Sequence, residues 1–199
     1  MKSEVSKREK NKEAIREQLL VEAKKLFSEK GMQNTTVSDI VAACNLGRGT
    51  FYNYFSDVKH IFDKVNEIVN IEIGNIIKTA RAQQSTIYDI FYATFKTYFD
   101  FSSGPEMLSF NQKNQAYIRS ASYKSDAIRT IVKDLQADLR RNASKLKLAS
   151  DIDEQLLSYL LMGTPAELFL NNMSVAPHLD NHKVATFLAR LFTHGVGKQ

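Results

Sequence analysis

The sequence predicts an all-α protein, and three observations carry that expectation. Among its 199 residues there are only eight glycines and three prolines, and the stretch from Glu106 to Met162 contains neither breaker. Apolar residues recur three and four apart through most of the chain instead of alternating. Helix-capping residues stand at the starts of several of these runs. A 43% share of hydrophobic residues and a mean hydropathy of −0.31 allow a buried core and exclude a disordered or low-complexity chain.

Each element follows in turn. From Lys12 to Lys30, residues Ile15, Leu19, Ala23, Leu26 and Phe27 fall on one helical face, and Gly31 stops the helix. Thr36 with Asp39 three residues on reads as a capping box that opens a short second helix, with Val37, Ile40 and Val41 inward. Asn45 suits a left-handed helix end, Leu46 anchors the turn, and Gly47 opens a third helix over Arg48 to Phe55. Ser56 marks the break, and Asp57 caps a long fourth helix carrying Ile61, Phe62, Val65, Ile68, Val69, Ile73, Ile76 and Ile77.

Thr86 and Asp89 open a fifth helix that ends near Phe101, before Ser103, Gly104 and Pro105. A sixth is expected over Pro105 to Ile118 and a seventh over Ser125 to Leu148. The eighth, Asp153 to Asn171, is apolar around most of its circumference and carries Pro165, whose ring should kink or interrupt it. Asp180 caps the ninth, in which Val184, Phe187, Leu188, Leu191 and Phe192 form an amphipathic stripe. About nine helices are therefore expected. Residues 1–56 would form a basic arm and a helix-turn-helix head, and residues 57–199 a larger regulatory, ligand-binding and dimerisation domain. Two terminal helices so rich in apolar surface suggest a homodimer joined as a four-helix bundle.

The lone cysteine, Cys44, excludes an internal disulfide framework and is expected in the core. The first 17 residues hold no apolar block. The longest uncharged run around Leu156 to Met162 extends only from Gln155 to Ala166, short of the ~18 apolar residues a spanning helix needs. No membrane association and a cytoplasmic setting are expected. The net charge of +5 is unevenly placed, with 11 basic and 8 acidic residues in the first 62. Lys2, Lys7, Arg8, Lys10 and Lys12 at the amino end could approach phosphates, or form a solvated tail.

The informative block is Thr35-Thr36-Val37-Ser38-Asp39-Ile40, followed by Arg48-Gly49-Thr50-Phe51-Tyr52-Asn53-Tyr54-Phe55. With Ala23, Leu26-Phe27 and Gly31, it resembles the DNA-binding domain of the TetR family of bacterial transcription regulators, over about Glu13 to Phe62. The resemblance implies a double-stranded DNA operator, a small-molecule effector and a homodimer, with no cofactor and no metal.

The residue chemistry agrees with that likeness. A recognition helix packs one face and offers donors on the other. Phe51, Phe55 and Leu46 supply the packing face. Arg48 stands in the first turn, where a guanidinium can reach guanine O6 and N7. Gly49 leaves room for the DNA backbone, Thr50 offers a hydroxyl, Tyr52 and Tyr54 add phenolic donors, and Asn53 lies in the same segment. Thr35 and Thr36 near the start of the second helix, and Lys59 near the start of the fourth, complete the expected DNA-contacting set. A lysine is common in the family at the position held here by Val58. The usual serine before the recognition helix is Gly47, and the usual turn glycine is Asn45.

Between Tyr88 and Phe110 there are eight aromatics, a composition that suits both a core and a small-molecule pocket. In the family the central helices enclose an inducer, so Phe95, Tyr98, Asn114, Tyr117 and Met162 are the expected lining, for a largely apolar or aromatic effector. An enzyme is disfavoured, because the chain has no Gly-rich phosphate loop, no GxSxG elbow and no paired-cysteine metal pattern. His178 and His182 are four apart, but Pro177 sets His178 outside the helix. The rival reading is an all-α interaction module that keeps the fold and has lost DNA binding.

Overall fold

Nine α-helices and one 3-10 turn account for the ordered elements of the computed structural model, which describes residues 7–122, 125–146, 153–175 and 180–195, with no strand among them. The helices are α1 (Lys7–Lys30), α2 (Val37–Ala43), α3 (Arg48–Tyr52), α4 (Val58–Ala82), α5 (Ile87–Ser103), α6 (Pro105–Ser122), α7 (Asp126–Leu146), α8 (Glu154–Val175) and α9 (Asn181–His194). The 3-10 turn, Met32–Asn34, joins α1 to α2.

The chain divides into two compact units, Met1–Ile68 with Ser109–Ala121 and Val69–Leu108 with Ser122–Gln199. This differs from the expected division at residue 56. Both α4 and α6 contribute one part to each unit. The reason is aromatic and lies in the first unit, where the buried Phe62 ring of α4 stacks on Phe110 at 5.8 Å and meets Tyr117 edge-on at 6.0 Å. Phe27 of α1 closes on the same ring at 5.2 Å. The expected stripe of α4 is thus shared between two cores, with Ile61, Phe62 and Val65 buried in the first unit and Val69, Ile73 and Ile77 in the second.

Local signals set the first three helices. Thr36 Oγ1 accepts from the Asp39 backbone N–H at 3.2 Å, and Asp39 Oδ2 accepts from the Thr36 backbone N–H at 2.7 Å, so the capping box closes both ways. At the far end of α2, Asn45 adopts φ 54°. Its N–H donates to the Ala42 carbonyl and that of Leu46 to the Val41 carbonyl, at 3.1 and 2.8 Å, the two bonds of a Schellman motif. Gly31 ends α1 at φ +81°, a conformation a side chain would strain, and a Cβ there would sit 3.1 Å from the Lys113 carbonyl oxygen.

The second unit is built on α5 against α9, with α7 and α8 beside them. Phe91, Phe95 and Phe99 of α5 pack with Leu135, Leu139, Leu161, Phe169 and Leu188. Asp180 caps α9 as expected, accepting from the His182 and Lys183 N–H groups. Helix α4 approaches α7 at Gly74, where a Cβ would lie 2.7 Å from Ile131. Beside it run the ion pairs Lys78–Asp134 at 2.9 Å and Arg81–Asp138 at 2.8 Å.

Two expectations about elements are corrected. Helix α1 is already formed at Lys7, ahead of Lys12, because the charged residues there are good helix formers. Helix α8 continues through Pro165 to Val175, with Leu161, Phe169 and Leu170 buried on either side of the ring, so packing holds the segment helical. The interruption falls instead in α6, at Asn114 (φ −122°, ψ 15°). The carboxyl end expected for the seventh helix, residues 147–148, lies outside the described residues.

Candidate nucleic-acid interface

Helix α3 has five residues, far below the ~12–15 at which an isolated helix is even marginal in water. It exists because one face is buried. Phe51 and Phe55 are fully buried, their rings 5.8 Å apart, and the Arg16 guanidinium lies 5.8 Å over the Phe55 ring while His60 meets it edge-on at 5.5 Å. The helix is shorter than expected: Asn53 caps it, and the Tyr54 and Phe55 N–H groups both return to the Phe51 carbonyl, at 2.9 and 3.0 Å, closing the last turn. Asp57 then accepts from the His60 N–H at 2.7 Å, and that bond holds its carboxyl below the usual range.

The opposite face of α3 is open. Arg48, Gly49, Tyr52 and Asn53 are exposed, Tyr52 by 58%, while Thr50 and Tyr54 are half-buried. Apart from the adjoining residues and the helix's own backbone, nothing lies within 4 Å of where a Cβ would stand on Gly49, so this side of the helix is free for close approach. Arg48 is held in place. Its Nε donates to Ser38 Oγ of α2 at 3.1 Å, and its Nη2 donates to the same oxygen. Ser38 therefore occupies the side-on edge of the guanidinium and leaves Nη1 with the outer hydrogen of Nη2 as an outward fork, the geometry a guanine O6/N7 pair accepts. Ser38 was not among the expected site residues; it is separated from Arg48 by ten positions and a turn, and no spacing rule singles it out.

The remaining expected contacts take different positions. Thr36 is exposed, its hydroxyl engaged with Asp39. Asp39 also accepts from Lys30 Nζ at 2.8 Å; that bond first, then those from Thr36, hold its carboxyl down to about 2. Thr35 is buried and donates its hydroxyl inward to the Gly31 carbonyl at 2.8 Å. Lys59 is exposed and paired with Asp63 at 2.6 Å. Lys7, Arg8, Lys10 and Lys12 are exposed on the first turns of α1; Lys2 lies outside the described residues. Cys44 is buried, and burial pushes its thiol up.

The expected effector-lining residues fall into two groups. Phe95, Tyr98 and Met162 belong to the second unit, in or against its aromatic core. Tyr98 meets Phe169 edge-on at 6.3 Å, and burial pushes its hydroxyl up to about 12, opposed by a hydrogen bond from Ser102. Asn114 and Tyr117 belong to the first unit. Asn114 is 1% exposed and bonded to backbone groups of α1, α6 and the 3-10 turn. His182 Nδ1 lies 2.8 Å from the Tyr92 hydroxyl, and His178 is outside the described residues.

Residues 19–65, which contain α2 and α3, match the family model described as bacterial regulatory proteins, tetR family. Over these residues the chain is similar to tetR-family regulators. An uncharacterized HTH-type transcriptional regulator, YuxN of Bacillus subtilis (strain 168), is 35% identical over 83 residues, a match covering 36% of this chain and 28% of that protein. The fold extends the likeness to nearly the full length. The fatty acid degradation regulator FadR from Bacillus halodurans superposes with a TM-score of 0.75 at 15% identity, covering 92% of this chain and 97% of that one. FadR from Bacillus subtilis, solved in complex with stearoyl-CoA, superposes with a TM-score of 0.71 at 15% identity, covering 91% and 99%. At such identities the tetR-family head and the helical body share an architecture with these proteins, and the similarity speaks to the fold alone. Among the described residues, no helix is long and apolar enough to cross a membrane.

Proposed function

We propose that the chain is a cytoplasmic, ligand-responsive transcriptional regulator: a repressor that binds a palindromic operator as a homodimer and is released by a small, largely apolar or aromatic effector. The observation that carries the reading is the two-sidedness of α3. Its Phe51 face is locked into the first unit, and its outer face presents a pre-oriented Arg48, an unobstructed Gly49 and an exposed Tyr52. A forked donor with room for a phosphodiester beside it suits a major groove.

Two features support the rest. Leu156, Tyr159 and Leu160 of α8 stand at i, i+3 and i+4 with more than half of each exposed, and Phe187 of α9 is 61% exposed. Such a stripe is buried when the α8–α9 pair meets its symmetry mate, and the resulting two-fold would present two α3 helices to major grooves about 34–36 Å apart. The effector would be bound among Phe95, Tyr98 and Met162, where aromatic walls surround a desolvated phenol. The fourth helix would carry the signal, since it is continuous and seated in both units, through Phe62 in one and the Gly74, Lys78 and Arg81 face in the other. An effector shifts operator affinity only by its differential affinity for the two states.

Selection of bound sequences from a randomised duplex pool tests the reading. Enrichment of an inverted repeat, bound by a dimer, is the expected result. A protein that selects no sequence at low ionic strength would be the interaction module instead.

A further inference from the structure

Asn114, expected to line a pocket, is buried in the first unit, and its surroundings carry a further task. Its carboxamide is used almost completely. Nδ2 donates to the Phe27 carbonyl at 2.9 Å and to the Phe110 carbonyl at 2.8 Å, and Oδ1 accepts from the Met32 N–H at 2.7 Å. Two carbonyls and one N–H as partners fix the orientation of the amide, because the reverse orientation would set donors against a donor and acceptors against acceptors. An aspartate keeps only the bond from Met32, and a leucine of similar volume keeps none.

The backbone of α6 bends to place this side chain. Residue 114 leaves the helical region, and Nδ2 reaches the carbonyl four residues back, the acceptor that an undistorted helix reserves for the residue's own N–H. Beside it, Ser109 Oγ donates to the Ser28 carbonyl at 2.6 Å, and the Lys113 carbonyl packs against Gly31. Helix α6 therefore adds bonds to the carboxyl end of α1 from outside: the Phe27 carbonyl, which also accepts from the Gly31 N–H at 3.1 Å, takes a second donor from Asn114, and the Ser28 carbonyl in the last turn takes one from Ser109.

From this end a short chain of bonds leads to the reading head. The Met32 carbonyl accepts from the Thr35 N–H at 3.1 Å, Thr35 is tied back to Gly31, Thr36 caps α2, and Ser38 on the first turn of α2 holds Arg48. We propose that Asn114, with Ser109 in support, is a positioning residue for DNA recognition: it sets where α1 hands over to α2, and so where the Ser38–Arg48 pair stands. This rests on the DNA-binding reading above and adds to it a residue that touches no DNA.

The test uses the full-length protein, its Asn114→Leu, Asn114→Asp and Ser109→Ala variants, and the duplex selected by the wild type, at a temperature well below melting. A displaced Arg48 loses base discrimination, so affinity of Asn114→Leu for the selected duplex should fall roughly tenfold or more while affinity for a scrambled duplex stays within about twofold. Asn114→Asp should lose as much and Ser109→Ala less, in the same direction. A second measurement is free of DNA: amide exchange should speed up at Met32 and Thr35 in each Asn114 variant and stay unchanged at Tyr54. If the Asn114 variants keep either wild-type affinity ratios or wild-type exchange at Met32, or if, where they do not fold, Ser109→Ala keeps wild-type affinity ratios, the proposal is overturned. A wild type that selects no duplex overturns the DNA reading instead, and the exchange measurement, which needs no DNA, tells the two failures apart.

Discussion

Phe51 and Tyr52 are neighbours on the shortest α-helix, and truncating each should have opposite consequences. Phe51 has no exposed surface and its ring meets those of Tyr52 and Phe55 at 5.5 and 5.8 Å. Phe51→Ala removes a fully buried ring, a change that costs about 3–5 kcal/mol in well-packed cores. Five residues cannot hold a helix unaided, so α3 should come loose before the rest of the head, and duplex binding should vanish with it. Tyr52→Phe keeps the ring and its edge contact with Phe51, and removes only an exposed hydroxyl. Its stability should stay within about 0.5 kcal/mol of wild type. If that hydroxyl reaches a phosphate, its loss costs about 1.5–3 kcal/mol of affinity, more than tenfold. Urea titration followed by far-UV circular dichroism, together with anisotropy of a labelled duplex at low salt, separates the two effects. Equal destabilisation by both variants, or wild-type stability in Phe51→Ala, would refute the division of α3 into a packed face and a reading face.

Removing the oxygen that steadies Arg48, in Ser38→Ala, should lower affinity for the selected duplex roughly three- to tenfold while leaving scrambled-duplex binding in place; equal losses on both would show that Ser38 does not orient the guanidinium. Placing charges on the exposed stripe, as Leu160→Glu with Phe187→Glu, should convert the proposed homodimer to monomer in sedimentation velocity with helicity retained, and an unchanged dimer would move the interface elsewhere. Asp39 has a folded pKa of about 2, held down chiefly by Lys30, against about 3.9 for a free aspartate, so its contribution to stability is full above pH ~4 and is lost as pH falls towards 2. Thermal melts of Asp39→Asn across that window should show a shallower pH dependence than wild type, and parallel curves would count against the Lys30–Thr36 cluster.

Where the sequence was legible, the interactions were local. The Thr36–Asp39 box, the left-handed Asn45, the Gly31 stop and the Asp180 cap each depend on residues within a few positions of one another, and all four form as their spacing predicts. The same locality let one 21-residue block, Thr35 to Phe55, carry the recognition segment and its family resemblance. Periodicity likewise located most of the buried faces of α4 and α9, because burial of a stripe leaves its mark on the stripe itself, though Ile68 and Ile76 of the one and Phe187 of the other stand exposed.

What the tertiary structure alone decided is which partner each face takes. The aromatic run from Tyr88 to Phe110 reads as one cluster, yet Phe91, Phe95 and Phe99 enter one core and Phe110 stacks on Phe62 in another. Asn114 reads as a polar handle in a pocket, and its partners Phe27 and Met32 lie more than eighty residues earlier in the chain. Pro165 reads as a break, and packing on both sides keeps it within α8. Sequence periodicity records that a side chain leaves water; it holds no record of the distant backbone groups that replace the water, and those bonds exist only once the chain has closed on itself.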